Sequence, residues 1–536
     1  MGKAGLPLDE RKMIVDLLMK VRQRMMTPEV LRRIDKLEEF PENIIRELLG
    51  PNIGLQLLFI PEEFGGMGGG ARDIAVISEE MAKVCLGIAT AFLAIHLGTD
   101  PILVGATAEQ KQKWLTKIAE EGCIVAYAVT EPEAGSNLSN FKTKAEPVTD
   151  ATGAIMGYRI NGNKQFISNG GFADFLTVLA QAPEGPTFFI VEKNAEGFKP
   201  GKAEEKHGIR CSNTAPLTFN NVFVPADQLV GGVPGQGLNQ ANEVFGYTRL
   251  MVAAFGLGAG VAALERVVSY ARERIQFGSP LIEKQGFTHK LIIPHYIHLE
   301  AARAYIEEVA DRLDSGEKDL QIEGSIAKLF ATESGNACAE SAIQALGGYG
   351  YIHEYDVEKI KRDVKITTIY EGTSEIQQMI ISTFRWRASV KSKWQFYQSM
   401  ADEMAAVPDD SLHAGLVSQA ADVLNKTIQF VHLQKLTRLQ FIMFKLADCM
   451  TEVETAVALI RKTVSARNHG SQDFQRLQLI SRLFAREVLL HCQSTAHLVK
   501  FGSSSEIPSP DTIHPPNDAC VYRGMLDDMD SLLRYL

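Results

Sequence analysis

A block of short β-type segments interrupts a chain that is otherwise patterned as amphipathic helix. These segments are rich in Val, Ile, Phe and Tyr, and Asn-Gly, Gly-Gly and Pro-Glu-Gly turns separate them. They occupy residues 124–130, 155–160, 165–169, 175–181, 187–192 and 215–224. Because apolar runs bounded by turn residues are typical of strands, the block predicts an antiparallel β barrel or sandwich.

Helical periodicity lies on both sides of this block. Before it, Ile14, Leu17, Leu18 and Val21 recur at the spacing of one helical face, and after it the helical pattern continues to about residue 390. At 536 residues the chain is long enough for several packed units. The predicted fold class is α+β. Its predicted domains are an N-terminal helical domain (1–122), a middle β domain (123–236), a C-terminal helical bundle (237–390) and a helical extension (391–536).

The extension is predicted from a polar linker followed by amphipathic helices. Residues 406–412 read Ala-Val-Pro-Asp-Asp-Ser-Leu, which is typical of a linker, and helical patterning resumes over 412–500. The tail from Ser503 to Asp518 is rich in Ser, Pro and Asp and is expected to be irregular. One apolar face of the extension is predicted from Phe430, Leu433, Leu436 and Leu439.

Two glycine-rich stretches lack the context of a phosphate-binding motif. Residues 61–70 follow no strand and precede no Lys-Ser or Lys-Thr pair, so they predict a turn. Gly256-Leu-Gly-Ala-Gly260 lies inside a helical pattern and does not follow a strand, which favours close packing between helices.

Charge and cysteine usage narrow the functional class. The net charge of −10 argues against a general nucleic-acid or anionic-membrane surface, although it leaves room for a local basic pocket. Seven scattered Cys form no Cys-x-x-Cys pair, so neither a metal site nor a disulfide framework is predicted.

No apolar run approaches the roughly 20 residues of a transmembrane helix. We therefore expect a bacterial cytoplasmic protein, or a mitochondrial matrix protein whose transit peptide has been removed.

Glu371 is the candidate for acid–base chemistry. It stands beside Gly372, after an apolar and aromatic pair, and just before a helix predicted from the spacing of Ile376, Met379 and Ile380. An apolar wall beside such a carboxylate can tune it to accept a proton. A solvated Glu in a turn is the alternative interpretation of these residues taken alone.

Five motifs, in sequence order, resemble the acyl-CoA dehydrogenase family of flavoproteins. They are Tyr127-Ala-Val-Thr-Glu-Pro-Glu-Ala-Gly-Ser136, Asn161-Gly-Asn-Lys-Gln-Phe-Ile-Ser-Asn-Gly170, Arg274-Ile-Gln-Phe-Gly278, Gln344-Ala-Leu-Gly-Gly-Tyr-Gly350 and Ile369 to Gln377. The resemblance covers about residues 20–385. It implies an FAD-dependent conversion of an acyl-CoA thioester to a trans-2-enoyl-CoA, with electrons passed to an electron-transfer flavoprotein.

The resemblance also implies contacts with FAD. Those made within one subunit are assigned to Tyr127, Val129, Thr130, Ser136, Phe166, Ser168, Thr373 and Glu375. Those made with the FAD of a neighbouring subunit are assigned to Arg274, Phe277, Gln285, Gln344 and Gly348. Phe166 and Ser168 stand where the family usually has Trp and Thr. From the residues alone, core packing of Phe166 and an ion pair of Arg274 with Glu273 or Asp311 remain open.

The resemblance implies that Glu371 is the base that removes the α proton. Some members carry the base immediately before a family-typical Arg, which here is Arg249, but the preceding residue is Thr248 and cannot act as a base. Substrate contacts are implied for Ser136, Arg249, Tyr370, Glu371 and Gly372. An ion pair of Arg249 with a carboxylate such as Glu243 is an equal alternative.

The helical extension resembles the very-long-chain branch, in which such an extension occupies the surface that otherwise forms a tetramer and the enzymes are dimers. Both a homodimer and a homotetramer remain open here. A helical domain with no catalytic role and a partner-docking module are alternative interpretations of the extension. An acyl-CoA oxidase or another flavin oxidase on the same scaffold is one alternative function. A non-catalytic flavin-binding assembly protein is another. The family covers many acyl groups on one fold, so the sequence does not select the acyl chain. Phe92 and Leu93 favour an apolar one.

Overall fold

The computed structural model describes residues 5–408, 410–502, 521 and 524–536, and these form two compact units. The first unit consists of Met1–Ala259, Ala310–Gln321 and Glu358–Thr367. The second consists of Gly260–Val309, Ile322–Val357 and Thr368–Leu536. The tail predicted to be irregular lies outside the described residues.

Six helices precede the sheet in the first unit. They are α1 (Leu8–Met25), α2 (Pro28–Leu37), α3 (Glu42–Leu49), α4 (Ala71–Val84), α5 (Leu86–Gly105) and α6 (Ala108–Glu121). On α1 the residues Ile14, Leu18 and Val21 are buried, as the periodicity predicts. Helix α6 begins with a capping box in which Thr107 and Gln110 satisfy each other's backbone N–H groups.

A seven-stranded sheet follows these helices. Its strands are β1 (Val125–Ala128), β2 (Lys144–Thr149), β3 (Ile155–Ser168), β4 (Phe175–Ala182), β5 (Gly185–Glu192), β6 (Phe198–Pro200) and β7 (Thr214–Pro225). The order is β1-β4-β2-β3-β7-β6, with β5 paired to β4. Alternate side chains of these strands form a buried core that includes Ile160, Val178 and Phe189.

The sheet confirms the fold class and corrects two details of it. The predicted antiparallel arrangement is incomplete, because β1 and β2 each pair with β4 in parallel. The predicted turn at Asn161-Gly162 is wrong, because Ile160 and Gly162 both pair with β7 across a shift in register. A β-bulge absorbs the extra residue, so one strand of 14 residues replaces two short ones.

The remaining elements are mostly long helices. They are α7 (Gly237–Glu273), a hairpin of β8 (Ile275–Gln276) and β9 (Ser279–Pro280), α8 (Gln285–Leu291), α9 (Ile293–Asp314), α10 (Gln321–Leu346), α11 (Val357–Val364) and α12 (Ser374–Lys391). The extension contributes α13 (Gln395–Ala405), α14 (Ala414–Leu433), α15 (Gln440–Asn468), α16 (Phe474–Gly502) and α17 (Met525–Leu532).

The glycines of α7 allow close packing between helices, as predicted. In the first unit, a Cβ atom on Gly258 would lie 2.3 Å from the carbonyl oxygen of Glu79. In the second unit, a Cβ atom on Gly260 would lie 2.9 Å from the Cα atom of Gly335. These separations are too short for any side chain, so the glycines serve packing and do not form a nucleotide-binding turn.

Two expectations about apolar segments are wrong. The single face predicted from Phe430, Leu433, Leu436 and Leu439 does not form, because α14 ends at Leu433 and α15 begins at Gln440. In the connection between them Lys435 has a left-handed φ of 56°, and Leu433 is 72% exposed. Leu86–Gly105 and Thr248–Glu273 are long and apolar enough to cross a membrane by length and composition, although no such run was expected. They are 89% and 83% buried, which is typical of core helices.

A buried charge network links the extension to the rest of the second unit. Arg385 on α12 donates to Glu454 on α15 at 2.7 Å and to Glu323 on α10 at 2.9 Å. The Tyr397 hydroxyl on α13 donates to Glu454 at 3.0 Å. Burial opposes the charge on Arg385, but the two carboxylates raise its pKa well above the ordinary value. These bonds satisfy charges that would be costly to bury alone.

Candidate functional site

The predicted site residues fall into two groups, one in each unit. The first unit carries Tyr127, Val129, Thr130, Ser136, Phe166, Ser168 and Arg249. The second carries Arg274, Phe277, Gln285, Gln344, Gly348, Tyr370, Glu371, Gly372, Thr373 and Glu375.

A buried ion pair holds the chain that follows β1. The ammonium of Lys164 donates to the carbonyl of Val129 at 3.0 Å and to the carboxylate of Glu131 at 2.7 Å. Glu131 also accepts the backbone N–H groups of Lys142 and Thr143. Burial lowers the pKa of Lys164 to about 8, while Glu131 favours its charged form. The pair therefore fixes both ends of the loop that carries Ser136.

A second bulge in β3 exposes Phe166. The register against β7 shifts between Lys164 and Ile167, and Phe166 has a left-handed φ of 60°. Its ring is 62% exposed, which rules out the core-packing alternative. The neighbouring Gln165 N–H donates to the carbonyl of Thr130 at 2.9 Å. The residue before Phe166 is therefore bound to Thr130, and the bulge turns the Phe166 ring toward solvent.

The other predicted residues of the first unit differ in exposure. Tyr127 is half-buried with its ring centroid 5.7 Å from that of Phe188, Ser168 is half-buried at the end of β3, and Ser136 is exposed. Val129 is buried, so it can offer backbone groups more readily than its side chain. Arg249 is buried on α7, and its guanidinium donates to the carbonyl of Gln321 at 3.3 Å.

In the second unit, Glu371 lies in a left-handed turn immediately before α12. Its φ is 55° and that of Gly372 is 89°. The next residue, Thr373, caps the helix by accepting the N–H of Ile376 at 3.4 Å. Glu371 is half-buried, as are Tyr370 and Thr373, whereas Glu375 is exposed. The predicted helix start is confirmed.

Two buried side chains that the sequence analysis missed hold this turn. The amide of Gln377 donates to the carbonyls of Glu371 at 2.9 Å and of Gly372 at 3.0 Å. The ammonium of Lys328 on α10 donates to the carbonyl of Gly372 at 2.7 Å. Gln377 is the last residue of the motif that contains Glu371, so its place in that motif could have indicated a role. No feature of the sequence around Lys328 indicates one.

A surface depression of about 640 Å³ in the second unit gathers three of the predicted FAD contacts. It is lined by Arg274, Gln344 and Gly348, together with Gly347, Tyr349 and other residues of the hairpin, α8 and α10. The Arg274 guanidinium lies 5.7 Å from the centre of the Tyr349 ring. Nothing lies within 4 Å of a Cβ atom built on either Gly347 or Gly348. An exposed guanidinium beside accessible backbone N–H groups suits a diphosphate.

The hairpin beside this depression presents an aromatic ring to solvent. Phe277 and Gly278 form its two-residue turn, with φ values of 50° and 82°. Two positive φ values are characteristic of the hairpin turn that matches strand twist. Phe277 is 98% exposed, and Gln285 is exposed at the first residue of α8. A ring held this far into solvent has little role in the core of its own chain.

The comparisons with known proteins agree with these motifs. The sequence matches the family models described as acyl-CoA dehydrogenase N-terminal domain over residues 8–122, middle domain over 126–222 and C-terminal domain over 235–384. An acyl-CoA dehydrogenase of Bacillus subtilis (strain 168) is 38% identical over 358 residues, which cover 66% of this chain and 91% of the relative.

Two solved structures are also similar. Butyryl-CoA dehydrogenase from Megasphaera elsdenii is 34% identical, with a TM-score of 0.66 over 70% of this chain and 98% of that chain. An acyl-CoA dehydrogenase from Bacillus anthracis, complexed with FAD, is 24% identical, with a TM-score of 0.85 over 99% of this chain and 96% of that chain. This second likeness extends the shared fold over nearly the whole chain, including the extension.

Proposed function

The chain belongs to the acyl-CoA dehydrogenase family, and from that premise we propose that Glu371 is the base of its reaction. The family reaction is a flavin-dependent dehydrogenation of an acyl-CoA. We propose that this enzyme removes the α proton and the β hydrogen of the acyl chain to give a trans-2-enoyl-CoA. The observation that carries the assignment is the left-handed turn of Glu371 and Gly372 before α12.

The turn gives the carboxylate the features that a base requires. Glu371 is half-buried, so water does not surround it fully, and the buried Gln377 and Lys328 hold the backbone on which it stands. A base must lie within about 3 Å of the proton that it removes, which demands a rigid support. Thr248 is a buried threonine and offers no carboxylate at the alternative position.

Backbone donors and the acyl wall complete the proposed substrate site. The Glu371 N–H is proposed to donate to the thioester carbonyl, where negative charge develops as the α proton leaves. Tyr370 and Gly372 are proposed to contact the acyl chain, and Ser136 and Arg249 to support binding of the acyl-CoA. Water displaced from the site by the bound acyl-CoA would strengthen each of these interactions.

The residues of both units suit FAD as the cofactor. The depression around Arg274, Gln344 and Gly348 offers charge and open backbone for a diphosphate, and the bulge exposes Phe166, whose preceding residue is bound to Thr130, for a flat ring system. Tyr127, Val129, Ser136, Ser168, Thr373 and Glu375 are proposed as further contacts, with Phe277 and Gln285 reaching the cofactor of a partner subunit. When bound, FAD supplies the acceptor for the β hydride.

The electron acceptor, the oligomeric state, the branch of the family and the cellular location are also proposals. We infer that an electron-transfer flavoprotein receives the electrons and that the enzyme is a homodimer or a homotetramer with FAD shared between subunits. We also propose that the enzyme belongs to the very-long-chain branch, on the ground that the chain carries a helical extension from residue 391. The bacterial relatives support a cytoplasmic location.

Replacement of the base tests the proposal directly. In Glu371→Gln the shape is kept and the proton acceptor is lost, so we expect FAD to remain bound while its bleaching by acyl-CoA slows by at least about a hundredfold. Stopped-flow absorbance under anaerobic conditions measures the rate across a panel of acyl-CoAs. Glu340→Gln, at an exposed position of α10, is the control. Bleaching of Glu371→Gln at the wild-type rate would remove Glu371 from the mechanism.

The choice between a dehydrogenase and an oxidase depends on the electron acceptor. After anaerobic reduction by acyl-CoA, oxygen is admitted and the flavin absorbance is followed. We expect slow reoxidation by oxygen and fast reoxidation by electron-transfer flavoprotein. Rapid reoxidation with release of hydrogen peroxide would support the acyl-CoA oxidase alternative. A protein that binds FAD but is not bleached by any acyl-CoA would support the assembly-protein alternative.

A further inference from the structure

We propose that Lys328 and Gln377 are positioning residues that set the direction of the Glu371 carboxylate. The proposal rests on the proposed function of Glu371 as the base. Neither side chain needs to touch the substrate, because each acts on the main chain of the turn. Both are fully buried, at 0% exposure, and neither belongs to a residue type that is normally buried without a specific reason.

The turn needs external support because its backbone is unfavourable. The left-handed region is unfavourable for a residue that has a Cβ atom, and Glu371 has a φ of 55°. Gly372 follows with a φ of 89°, so two consecutive residues leave the common regions. Such a conformation persists only where the surroundings determine it. Without that support the Cβ atom of Glu371 would point elsewhere.

Gln377 supplies two of the supporting bonds from a single amide group. Its nitrogen reaches both the Glu371 carbonyl at 2.9 Å and the Gly372 carbonyl at 3.0 Å. Two acceptors on one side fix the orientation of the amide, because its oxygen would repel both carbonyls. That oxygen is buried and has no hydrogen-bond partner among the described residues. The orientation that lets the amide nitrogen donate to the turn therefore leaves the amide oxygen without a hydrogen bond among the described residues.

Lys328 supplies the third bond from a different helix. Its ammonium reaches the Gly372 carbonyl at 2.7 Å from α10, while Gln377 reaches the same oxygen from α12. A charged donor makes a stronger bond than a neutral one, particularly in a buried place. The carbonyl of Gly372 is thus held between two helices, so the peptide plane between Gly372 and Thr373 cannot rotate freely. Because Gln377 also holds the carbonyl of Glu371, both peptide planes that follow the Glu371 Cα atom are restrained, and with them the path of its side chain.

The consequence for the reaction is geometric. A displacement of about 1 Å in a reacting group can cost about a hundredfold in rate. Removal of one support lets the turn relax toward the common backbone regions, which moves the carboxylate while leaving its chemistry unchanged. Proton removal should therefore slow without loss of FAD or of acyl-CoA binding.

Exchange of the α proton provides a measurement that does not require turnover. A 3-thiaacyl-CoA has acidic α hydrogens but sulfur in place of the β carbon, so it can lose an α proton to a base and cannot give up a β hydride. In D₂O, mass spectrometry follows the replacement of α hydrogen by deuterium in the presence of the FAD-loaded enzyme. Rates are normalised to bound FAD, and the dissociation constant of the analogue is measured in parallel.

The variants are Lys328→Met and Gln377→Met, which keep side-chain length and remove the donors. We expect each to slow exchange by at least about tenfold, with FAD content and analogue affinity within about twofold of wild type. Gln378→Leu is the matched control, because Gln378 is the next residue of α12 and donates instead to Asp448 at 2.7 Å. Exchange in the control should stay at the wild-type rate.

The outcomes separate this inference from the proposed function. Wild-type exchange in both Met variants, or an equal loss in Gln378→Leu, would overturn the positioning role. If Glu371→Gln itself exchanges at the wild-type rate, the base assignment fails whatever the other variants do. If one Met variant loses FAD, the exchange rate of the other variant still tests the positioning role, because each variant removes a donor to the Gly372 carbonyl. In the Glu371→Gln background the Met changes should cause no further loss of exchange.

Discussion

At the scale of single residues, Gly372 is as constrained as the glutamate beside it. Its φ of 89° suits only glycine, and a Cβ atom would lie 2.6 Å from the Gln377 amide nitrogen. A side chain here would therefore strain the backbone and displace the donor that holds both carbonyls. The turn depends on the absence of a side chain at one position and on specific side chains at two others.

This constraint makes a prediction for Gly372→Ala. We expect bleaching of the flavin by acyl-CoA to slow by at least about tenfold and the thermal unfolding midpoint to fall, since the strain costs about 1–3 kcal/mol. Stopped-flow absorbance and scanning calorimetry measure the two effects. Gly415→Ala, on α14 with open space around the added methyl, should be neutral or slightly stabilising. Equal behaviour of the two variants would contradict the steric argument.

The sequence could predict the start of the helix that follows Glu371, but it could not predict the contact that Lys328 makes with the turn. A capping threonine and a neighbouring glycine are local signals, and both can be read within a few residues. Lys328 lies 44 positions from the carbonyl that it holds, and nothing in its own surroundings distinguishes it from a solvated lysine. Contacts of this kind require the packing of α10 against the turn, which local patterns do not encode.

At the scale of elements, the main errors concern the connections between segments. Asn161-Gly162 is a strong hairpin signal, yet β3 continues through it because both neighbours remain paired with β7. The strands β2 and β6 were not predicted. Strand β6 has only three residues, and β2 contains a proline and alternates mainly polar residues, so neither shows a clear apolar run. The strands β2 and β6 form because they pair with other strands of the sheet, whereas the long helices form where the periodicity of the sequence predicts them.

The pairing of α15 with α16 contains a pH-sensitive contact. His491 on α16 lies 2.7 Å from the carboxylate of Glu452 on α15. The hydrogen bond with Glu452 raises the pKa of His491 to about 9 against the opposing effect of burial, and Cys449 and Asp448 act in the same direction as Glu452. The folded protein therefore keeps the proton at pH values where the unfolded chain, near its ordinary value of about 6.5, releases it.

Stability should depend on pH accordingly. A raised pKa contributes stability that is complete below about pH 6.5 and is lost as the pH rises through about 9. We expect His491→Gln to lower the thermal unfolding midpoint at pH 6 and to approach the wild-type value at pH 9.5. The effect at pH 6 should stay below about 1 kcal/mol because the pair is partly exposed. A difference between the variant and the wild type that grows with pH would contradict the assignment.

At the scale of the whole molecule, composition and motif order were sufficient for the family and the fold class. The sheet between helical regions and the helical extension are both present. The division into four domains stays a prediction, since the described residues cluster into two units and α7 contributes to both. The network around Arg385 had no sequence signal, because its members come from four helices and each is an ordinary charged or aromatic residue.

The exposed hairpin has a consequence for dimers whose two protomers carry different substitutions. If Arg274 and Phe277 serve the cofactor of a partner subunit while Glu371 serves its own, then the two groups of one chain belong to different catalytic centres. In a hybrid of an Arg274→Ala protomer and a Glu371→Gln protomer, one centre receives both defects and the other receives neither. Two preparations that are each inactive should therefore complement each other.

We expect Arg274→Ala alone to retain FAD poorly and Glu371→Gln alone to bleach at least about a hundredfold more slowly than wild type. After joint refolding or co-expression, random pairing should restore roughly one quarter of the wild-type centres, because half of the dimers are hybrids and each hybrid has one intact centre of two. A double variant carrying both changes in one chain should gain nothing from mixing with itself. If the hairpin serves the partner's cofactor, the activity of each chain depends on the sequence of its neighbour as well as on its own.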